Sequence, residues 1–251
     1  MAYWRKYMEA MLEAQAAIIR DQADAIEEAG RVITESVRRG GVLHMFGSGH
    51  SHLAAEEGFY RSGGLAPVSP MLDPSLMFHE GTEKCIALEK WDGYATRFVV
   101  PRFELRPEDT LMVFSASGRN NAPIEVAMAG RKRGLYTIGV TSRRYSDAFP
   151  SRHPSGKHLA DVVDLVLDHD APPGDGLLQI DEMPELGTTG AASTALAVIL
   201  VHAVFSAVID NFVQAGETPP MIRCPNVGSE QEALQANAKT LAAYRSRLPF
   251  I

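Results

Sequence analysis

The stretch LMVFSASGRNNAP, residues 111–123, joins an apolar run to a cluster of small polar side chains. Residues 111–114 have the composition of a buried β-strand, and Ser115 follows them without a transition. Pro123 suits the first turn of a helix, where its missing amide breaks no hydrogen bond. The stretch therefore predicts a strand, a polar loop and a helix in succession, which is the repeating unit of an α/β fold.

Four further apolar runs lie before and after this stretch, and each is typical of a buried strand. They are residues 42–46, 66–69, 135–140 and 162–167. Helical patterns separate them at residues 51–61, 83–100 and 122–133. Strands that alternate with helices form right-handed crossovers and a parallel sheet covered on both faces. The predicted fold is a three-layer α-β-α sandwich with a five-stranded parallel sheet.

A long N-terminal helix is predicted before the first strand. Residues 2–39 hold one glycine and no proline, and their apolar residues recur at helical spacing. Gly30 is the expected place for any break in this helix. A helix of this length often packs on a partner subunit, which favours a homodimer or homotetramer. The alternative is that the helix folds back on its own domain.

Two more helices are predicted towards the end of the chain. Residues 191–213 are apolar nearly all round, which is typical of a central buried helix. Residues 230–244 form an amphipathic helix. We expect a single domain with three parts: an N-terminal helical segment at 1–39, an α/β core at 40–215 and a C-terminal extension at 216–251.

The composition argues against several kinds of partner. The 251 residues carry a formal net charge of -7, and the scattered basic residues do not form the basic face that nucleic acid requires. No run is expected to reach the roughly 20 apolar residues of a membrane helix. Cys85 and Cys224 stand apart, so neither a disulfide framework nor a zinc ribbon is indicated. We expect a cytoplasmic protein with no nucleic-acid and no membrane partner.

Small and hydroxylated residues follow the predicted strands, at the edge where open parallel sheets bind ligands. Residues 47–51 read GSGHS, residues 115–120 read SASGRN, and residues 188–193 read TTGAAS, each before a predicted helix. Such loops let backbone amides and hydroxyls approach an anion closely. Three of them at one edge favour a phosphorylated ligand, although serine and threonine also cap helices without binding anything.

Two nucleotide-binding motifs are absent from the sequence. His52 occupies the position of the third glycine in a dinucleotide fingerprint that would start at Gly47. The pair Gly156-Lys157 is followed by His158, and Ser151 stands where a P-loop needs its first glycine. We therefore predict no cofactor.

The GSGHS turn, and above all the S-x-S-G-R loop at residues 115–119, resemble the sugar isomerase (SIS) domain over about residues 40–215. The resemblance implies a flavodoxin-like fold that binds a phosphorylated sugar, as in single-domain phosphosugar isomerases such as phosphoheptose isomerase. Serines of these loops bind the sugar phosphate in that family. The phosphate contacts expected here are Ser48, Ser51, Ser115, Ser117, Arg119, Asn120 and Thr189.

Aldose-ketose isomerisation moves a proton between adjacent carbons through an enediol, so it needs a base and a group that shuttles protons to the oxygens. Glu57 is the predicted base, with a solvated helix acid as the alternative. His202 lies among apolar residues, as a core histidine would, yet its position is similar to that of the catalytic histidine of phosphoheptose isomerase. Arg61 and Thr194 stand where that enzyme has its catalytic glutamate and a glutamine metal ligand, so we predict no metal site. The alternative is a metal site at His50, His52 and Glu56, since His52 and Glu56 are four residues apart on a predicted helix.

Two further residues are candidates to assist the opening of the sugar ring. His79 looks similar to a histidine near the sugar in arabinose-5-phosphate isomerase-like members, and Glu185 resembles an acid of the muramic acid phosphate etherases. The main hypothesis is a phosphosugar aldose-ketose isomerase. A non-catalytic phosphosugar sensor or assembly module, and an amino-sugar phosphate lyase, are the alternatives.

Overall fold

The computed structural model describes residues 2–251, and a parallel sheet of five strands lies at its centre. The strands are β1 (Leu43–Gly47), β2 (Val68–Pro70), β3 (Thr110–Phe114), β4 (Tyr136–Thr141) and β5 (Leu165–Asp168). The α-helices are α1 (Tyr3–Asp21), α2 (Ala23–Arg38), α3 (His52–Glu57), α4 (Thr82–Leu88), α5 (Asn121–Lys132), α6 (Arg143–Asp147), α7 (Ser193–Gln214) and α8 (Glu230–Ala242). Outside the sheet, an antiparallel ribbon is formed by β6 (Gly176–Gln179) and β7 (Thr188–Ala191). The predicted α/β fold with five parallel strands is confirmed.

The strand order β2-β1-β3-β4-β5 places a topological switch point between β1 and β3. From β1 the chain crosses to β2 on one side, and it then returns to β3 on the other side. Gly47 pairs with Phe114 at the carboxyl ends of the two strands. The loops that begin at Ser48 and Ser115 therefore leave the sheet side by side, at the crevice where open α/β sheets bind ligands.

Alternate side chains of β3 enter two separate apolar clusters, one on each face of the sheet. Met112 and Phe114 join the cluster that includes α2 and α7, whereas Leu111 and Val113 join the cluster that includes α5. This alternation follows from the two-residue period of a strand. Because helices cover both faces, the protein has the predicted three layers.

Helix α7 is the central helix of one face, as its apolar composition predicts. It packs along α2 and buries side chains such as Leu200, Val204 and Val208 in the core. The expectation that no run is long and apolar enough to cross a membrane is wrong for α7, which satisfies that test by length and composition. The helix places these side chains against its own domain.

The N-terminal helix breaks at Gln22 and not at Gly30. Gln22 leaves helical geometry with φ of -117° and ψ of 5°, and its side-chain oxygen accepts a hydrogen bond from the amide of Asp168 at 2.9 Å. Gly30 stays helical because it lies against α7, where an added Cβ would come within 2.6 Å of the Cβ of Ala207. Helix α2 therefore folds back on its own domain, as in the alternative prediction.

Two crossover helices are shorter than predicted. The helix expected at 83–100 ends at Leu88, because Gly93 turns the chain with φ of 83° before a π-helical turn at Ala95–Val99. The helix expected at 51–61 ends at Glu57, shortly before Tyr60 adopts φ of 50°. These breaks move Glu89 and Glu57 to helix ends, where their side chains can reach neighbouring segments.

The C-terminal extension is fastened to the amino edge of the sheet by buried charged groups. Nη2 of Arg247 donates a hydrogen bond to Oδ2 of Asp109 at 2.6 Å, and the same oxygen lies 3.3 Å from Nε2 of His44. Oδ1 of Asp109 accepts from the amide of Val42 at 3.0 Å. Burial alone would raise the pKa of Asp109, but hydrogen bonds from His44 and from the backbone amides of Val42 and Arg106 hold it below its ordinary value.

Candidate functional site

The two loops at the switch point have backbone geometry that favours glycine. Gly49 adopts φ of 57° where β1 turns into a 3-10 turn, and Gly118 adopts φ of 62° after β3. A Cβ on Gly118 would lie 2.8 Å from the hydroxyl of Ser146 and 2.9 Å from that of Thr141. The amide of Gly118 donates to Oγ of Ser115 at 3.2 Å. The β3 loop is therefore held tightly against β4 and α6.

Several hydrogen-bond donors of these loops have no partner within residues 2–251. The half-buried hydroxyls of Ser51 and Ser117 make no side-chain hydrogen bond, and the backbone amides of residues 119–121 find no acceptor among the described residues. Nε of Arg119 is buried and unsatisfied. Burial, together with the nearby cation of Arg152, lowers the pKa of Arg119. A buried donor without a partner, such as Nε of Arg119, is rare, so these loops are suited to an anion.

Glu89 places a carboxylate between the same two loops, and the sequence analysis missed it. Its Oε2 accepts from the hydroxyl of Ser48 at 3.1 Å, and its Oε1 accepts from Nδ2 of Asn120 at 2.8 Å. Burial raises the pKa of this carboxyl by more than the hydrogen bond from Ser48 lowers it. No motif marks Glu89 in the sequence, because its approach depends on the break after Leu88.

Asn120 links Glu89 to a third segment. It occupies the residue before α5 but makes no side-chain cap to that helix. Its Oδ1 instead accepts from Nη1 of Arg152 at 2.6 Å. Arg152 lies in the loop between α6 and β5, which also bonds through its amide to the carbonyl of Arg119 at 2.8 Å. The side chain of Asn120, a predicted phosphate contact, is therefore held between the carboxylate of Glu89 and the guanidinium of Arg152.

Glu57 and His202, predicted as base and proton shuttle, lie next to each other. Nε2 of His202 is 3.2 Å from Oε1 of Glu57, although their positions are far apart in the sequence. Arg61 reaches the same oxygen with its Nε at 3.1 Å. The side chains of Glu57 and His202 are 29% and 43% exposed, so both can meet a ligand from solvent. Helix α7, which carries His202, also packs against the 3-10 turn after β1.

His79 lies on a short turn that covers the β1 loop. Phe78 packs on His50 with ring centroids 4.8 Å apart, and an added Cβ on Gly49 would meet the Phe78 ring at 3.1 Å. The ring of His79 lies edge-on to that of His52, with centroids 6.4 Å apart. The structure thus brings His79, which is exposed, to the edge of the crevice.

Glu185 and Thr189 lie on exposed segments outside the loops that follow β1 and β3. Thr189 does not open a helix, because it pairs with Leu178 in the β6–β7 ribbon and is exposed. The amides that begin α7 are occupied by Asp175, whose Oδ1 accepts from Ser193 at 2.7 Å. The expected third anion-binding loop is therefore wrong in its local structure. Glu185 lies on an exposed 3-10 turn and makes no ion pair with any described residue.

A family model described as the SIS domain matches residues 6–142. A UPF0309 protein of Geobacillus thermodenitrificans is 36% identical over 248 residues, which cover 98% of this chain and 96% of that protein. Among solved structures, phosphoheptose isomerase of Neisseria gonorrhoeae has a TM-score of 0.56 at 15% identity, over 82% of this chain and 96% of that chain. The Vibrio vulnificus NanR protein complexed with ManNAc-6P has a TM-score of 0.50 at 13% identity, over 99% of this chain and 70% of that chain. The two solved structures share the fold with this chain.

Proposed function

This chain belongs to the SIS domain family, and from that premise we propose that it binds a phosphorylated sugar in the crevice between β1 and β3. The observation that carries the proposal is the set of unpaired donors at one edge of the sheet. It comprises the Ser51 and Ser117 hydroxyls, the amides of residues 119–121 and the buried Nε of Arg119. Phosphate oxygens accept hydrogen bonds and carry negative charge, so they would satisfy all of these groups.

The polar groups of the crevice divide between the two ends of such a ligand. Toward an anion, the side chains of Ser51, Ser117 and Arg119 act only as hydrogen-bond donors. The carboxylate of Glu89 offers hydrogen-bond acceptors instead. We propose that the phosphate binds among the donors and that sugar hydroxyls, which can donate hydrogen bonds, bind Glu89. Asn120 and Ser48 already contact Glu89, so they lie between the two ends of the site.

We further propose that the protein is an aldose-ketose isomerase. In this reaction Glu57 takes the proton from the carbon next to the sugar carbonyl, and the resulting enediol receives it back on the adjacent carbon. His202, 3.2 Å from Glu57, exchanges protons with the two enediol oxygens. His79, at the edge of the crevice, assists ring opening. The proton count is unchanged at the end of the cycle, as isomerisation requires.

A non-catalytic phosphosugar sensor is favoured by one contact. Arg61 holds Oε1 of Glu57 at 3.1 Å, and this is the oxygen that also meets His202. An arginine that stays on the carboxylate would occupy a lone pair that a base needs. The binding site would be the same in a sensor, and only the chemistry at Glu57 would be absent.

Binding and catalysis are tested separately. A panel of pentose, hexose, heptose and amino-sugar phosphates should contain a ligand that raises the melting temperature, because a ligand at a hundredfold excess over Kd adds about 2.7 kcal/mol. Ser117→Ala should reduce that shift, and Thr189→Ala, on the exposed ribbon, serves as the matched control. If no panel member shifts the wild type, or if Ser117→Ala leaves the shift intact, the proposed phosphate site is wrong.

The isomerase proposal is tested by exchange of the sugar proton with solvent deuterium. Wild-type protein should catalyse exchange at the carbon next to the carbonyl, whereas the double variant Glu57→Gln, His202→Asn should bind the same sugar phosphate without exchange. Binding without exchange in the wild type would identify a sensor. Full exchange in the double variant would remove both residues from the mechanism.

A further inference from the structure

We propose that Asp92, Glu125 and His153 form a binding site for a divalent transition-metal ion such as Zn²⁺. One ligand atom from each residue lies within 4.8 Å of the other two. The three residues come from separate segments: the turn after α4, the middle of α5 and the loop between α6 and β5. Zinc bonds to nitrogen and oxygen are ~2.0–2.2 Å long, so two ligand atoms of a tetrahedral ion lie roughly 3.4 Å apart. A small inward movement of exposed side chains is enough to close the site.

Glu125 is positioned by groups outside the cluster. It is 5% exposed, its Oε1 accepts from the amide of Gly93 at 2.6 Å, and its Oε2 accepts from the amide of Thr96 at 3.0 Å. Each carboxylate oxygen has two lone pairs, so one on each remains for a cation. Residues that orient metal ligands in this way are a regular feature of metal sites.

His153 is oriented as well. Its Nδ1 lies 2.8 Å from the hydroxyl of Ser155. A metal-binding histidine usually donates its other ring N–H to an oxygen, which fixes the tautomer and the ring orientation. The backbone amide of Ser155 also donates to Nδ1 at 3.2 Å when that nitrogen is unprotonated, so Nε2 is available to a cation in the tautomer that carries its proton on Nδ1 and donates it to the Ser155 hydroxyl.

The donor set selects among metals. One imidazole with two carboxylates suits Zn²⁺ and neighbouring transition metals, whereas Mg²⁺ and Ca²⁺ prefer oxygen ligands alone. Three protein ligands leave a coordination position open. The same residues line a cavity of about 740 Å³ together with the basic side chains Arg97, Lys132 and Arg133. An anion in that cavity would complete the coordination of the metal and balance these charges.

The ion would tie together two segments that flank the proposed phosphosugar crevice. Asp92 follows Glu89 on the turn after α4, and His153 follows Arg152 directly. Glu89 and Arg152 both hydrogen-bond to the side chain of Asn120. Metal binding would therefore restrict Asn120 from both sides. The metal site itself does not depend on the proposed function, and its test uses no sugar.

The test is a calorimetric titration of chelator-treated protein with ZnCl₂. Wild type should bind one equivalent of zinc per chain. His153→Gln and Asp92→Asn should weaken binding more than the roughly tenfold expected for Ser155→Ala, which removes only an outer partner. His158→Gln is the matched control, because His158 lies in the same loop but contacts Asp161 and the carbonyl of Phe149. It should bind as the wild type does.

Proteolysis gives a second measurement of zinc binding that does not depend on the heat released on binding. Arg152 and Lys157 are exposed, so trypsin can cleave this loop, and one equivalent of zinc should slow cleavage in wild type but not in His153→Gln. Equal zinc affinity in wild type and His153→Gln would overturn the proposal. So would a loss of affinity confined to His52→Gln, since that would place the ion at His52 and Glu56, whose Nε2 and Oε2 atoms lie 3.6 Å apart. Absence of stoichiometric binding in the wild type would have the same consequence.

Discussion

At the scale of single residues, we expect Glu89 to make the proposed phosphosugar crevice more selective than a simple anion site. Its carboxylate lies between loops whose unpaired donors suit a phosphate, so a phosphate and an ionised Glu89 repel each other if they come close. A ligand that has hydroxyls next to its phosphate can separate the two charges and use Glu89 as an acceptor. A bare anion cannot do so.

This arrangement predicts opposite effects of Glu89→Gln on two ligands. Sulfate keeps its double charge across the pH range used, so its affinity reports only the repulsion by Glu89. At pH 8 the variant should bind sulfate about tenfold more tightly than the wild type, a gain of ~1.4 kcal/mol in binding free energy. The affinity for a sugar phosphate should rise less than the affinity for sulfate, or should fall, because glutamine replaces one hydrogen-bond acceptor by a donor. Wild type should bind sulfate more tightly as the pH falls through the raised pKa of Glu89, and the variant should lack that component. Melting shifts with sulfate at pH 5 and pH 8 measure both effects.

The exposed residue Glu83 on α4 provides the control for this prediction. Glu83→Gln makes the same chemical change at a distance from Asn120 and Ser48, so its sulfate affinity should follow the wild type at both pH values. If Glu89→Gln and Glu83→Gln respond alike, the carboxylate of Glu89 does not act on the bound anion.

The sequence predicts some residues of the crevice and not others, for a physical reason. Ser51 and Ser117 lie within four residues of the ends of β1 and β3, so the strand pattern predicts their place near the sheet edge. Glu89 and Arg152 reach Asn120 from loops whose paths depend on tertiary packing. Glu57 and His202 were selected by chemistry and resemblance, and only the packing of α3 on α7 brings them within 3.2 Å.

At the scale of elements, the break in the N-terminal helix coincides with a tertiary contact and not with its glycine. Gly30 permits close packing of α2 on α7, whereas Gln22 breaks the helix because its side chain accepts a hydrogen bond from the end of β5. The local sequence around Gln22 contains neither glycine nor proline, so no local signal marks the break. Helix propensity is outweighed by these contacts.

The attachment of the C-terminal extension leads to a prediction about stability. Asp109→Asn should lower the free energy of unfolding by about 3 kcal/mol at pH 7, because it leaves the buried Arg247 without its carboxylate partner. The folded pKa of Asp109 is depressed, so this stabilisation is present above the unfolded pKa of ~3.9 and is lost as pH falls through the folded value. The wild type should therefore approach the variant in stability below about pH 4. Denaturant unfolding at pH 7 and at acid pH measures the difference.

Glu104 provides a matched control at the same arginine. Its carboxylate is 59% exposed and lies 3.5 Å from Nε of Arg247, so Glu104→Gln should cost less than about 1 kcal/mol. A destabilisation of Asp109→Asn no larger than that of Glu104→Gln would show that the buried group does not hold the extension in place.

At the scale of the whole molecule, alternation of strands and helices was sufficient to predict the sheet and its layers, because right-handed crossovers leave few topologies. The β6–β7 ribbon was not predicted, since its strands are short and partly exposed and have no continuous apolar run. Helix α1 packs on this ribbon, with Tyr7 against Gly190 and the Tyr7 hydroxyl donating to the carbonyl of Ala191. A cytoplasmic location and the absence of nucleic-acid and membrane partners stay predictions from composition.

Helix α1 has a second apolar face that its own domain does not cover. Its inner face buries Met11 and Ile18, and its outer face exposes Trp4, Met8, Leu12 and Ile19. These outer residues are spaced four, four and seven apart, so they form one stripe on the helix. Exposed apolar stripes of this kind mark protein interaction surfaces. We therefore expect α1 to pack against a second copy of the chain, as its length first suggested.

Light scattering after gel filtration should show a homodimer or homotetramer for the wild type. Leu12→Glu places a charge in the centre of the stripe and should reduce the mass to that of the monomer, because a stable interface of about 1,200–2,000 Å² does not tolerate an unpaired charge at its core. Glu9→Gln, at an exposed position of the same helix, should keep the wild-type mass. A monomeric wild type, or an unchanged mass in Leu12→Glu, would show that the stripe is not the subunit interface. A monomer would also leave Trp4 and Ile19, which are 64% and 75% exposed, in contact with water.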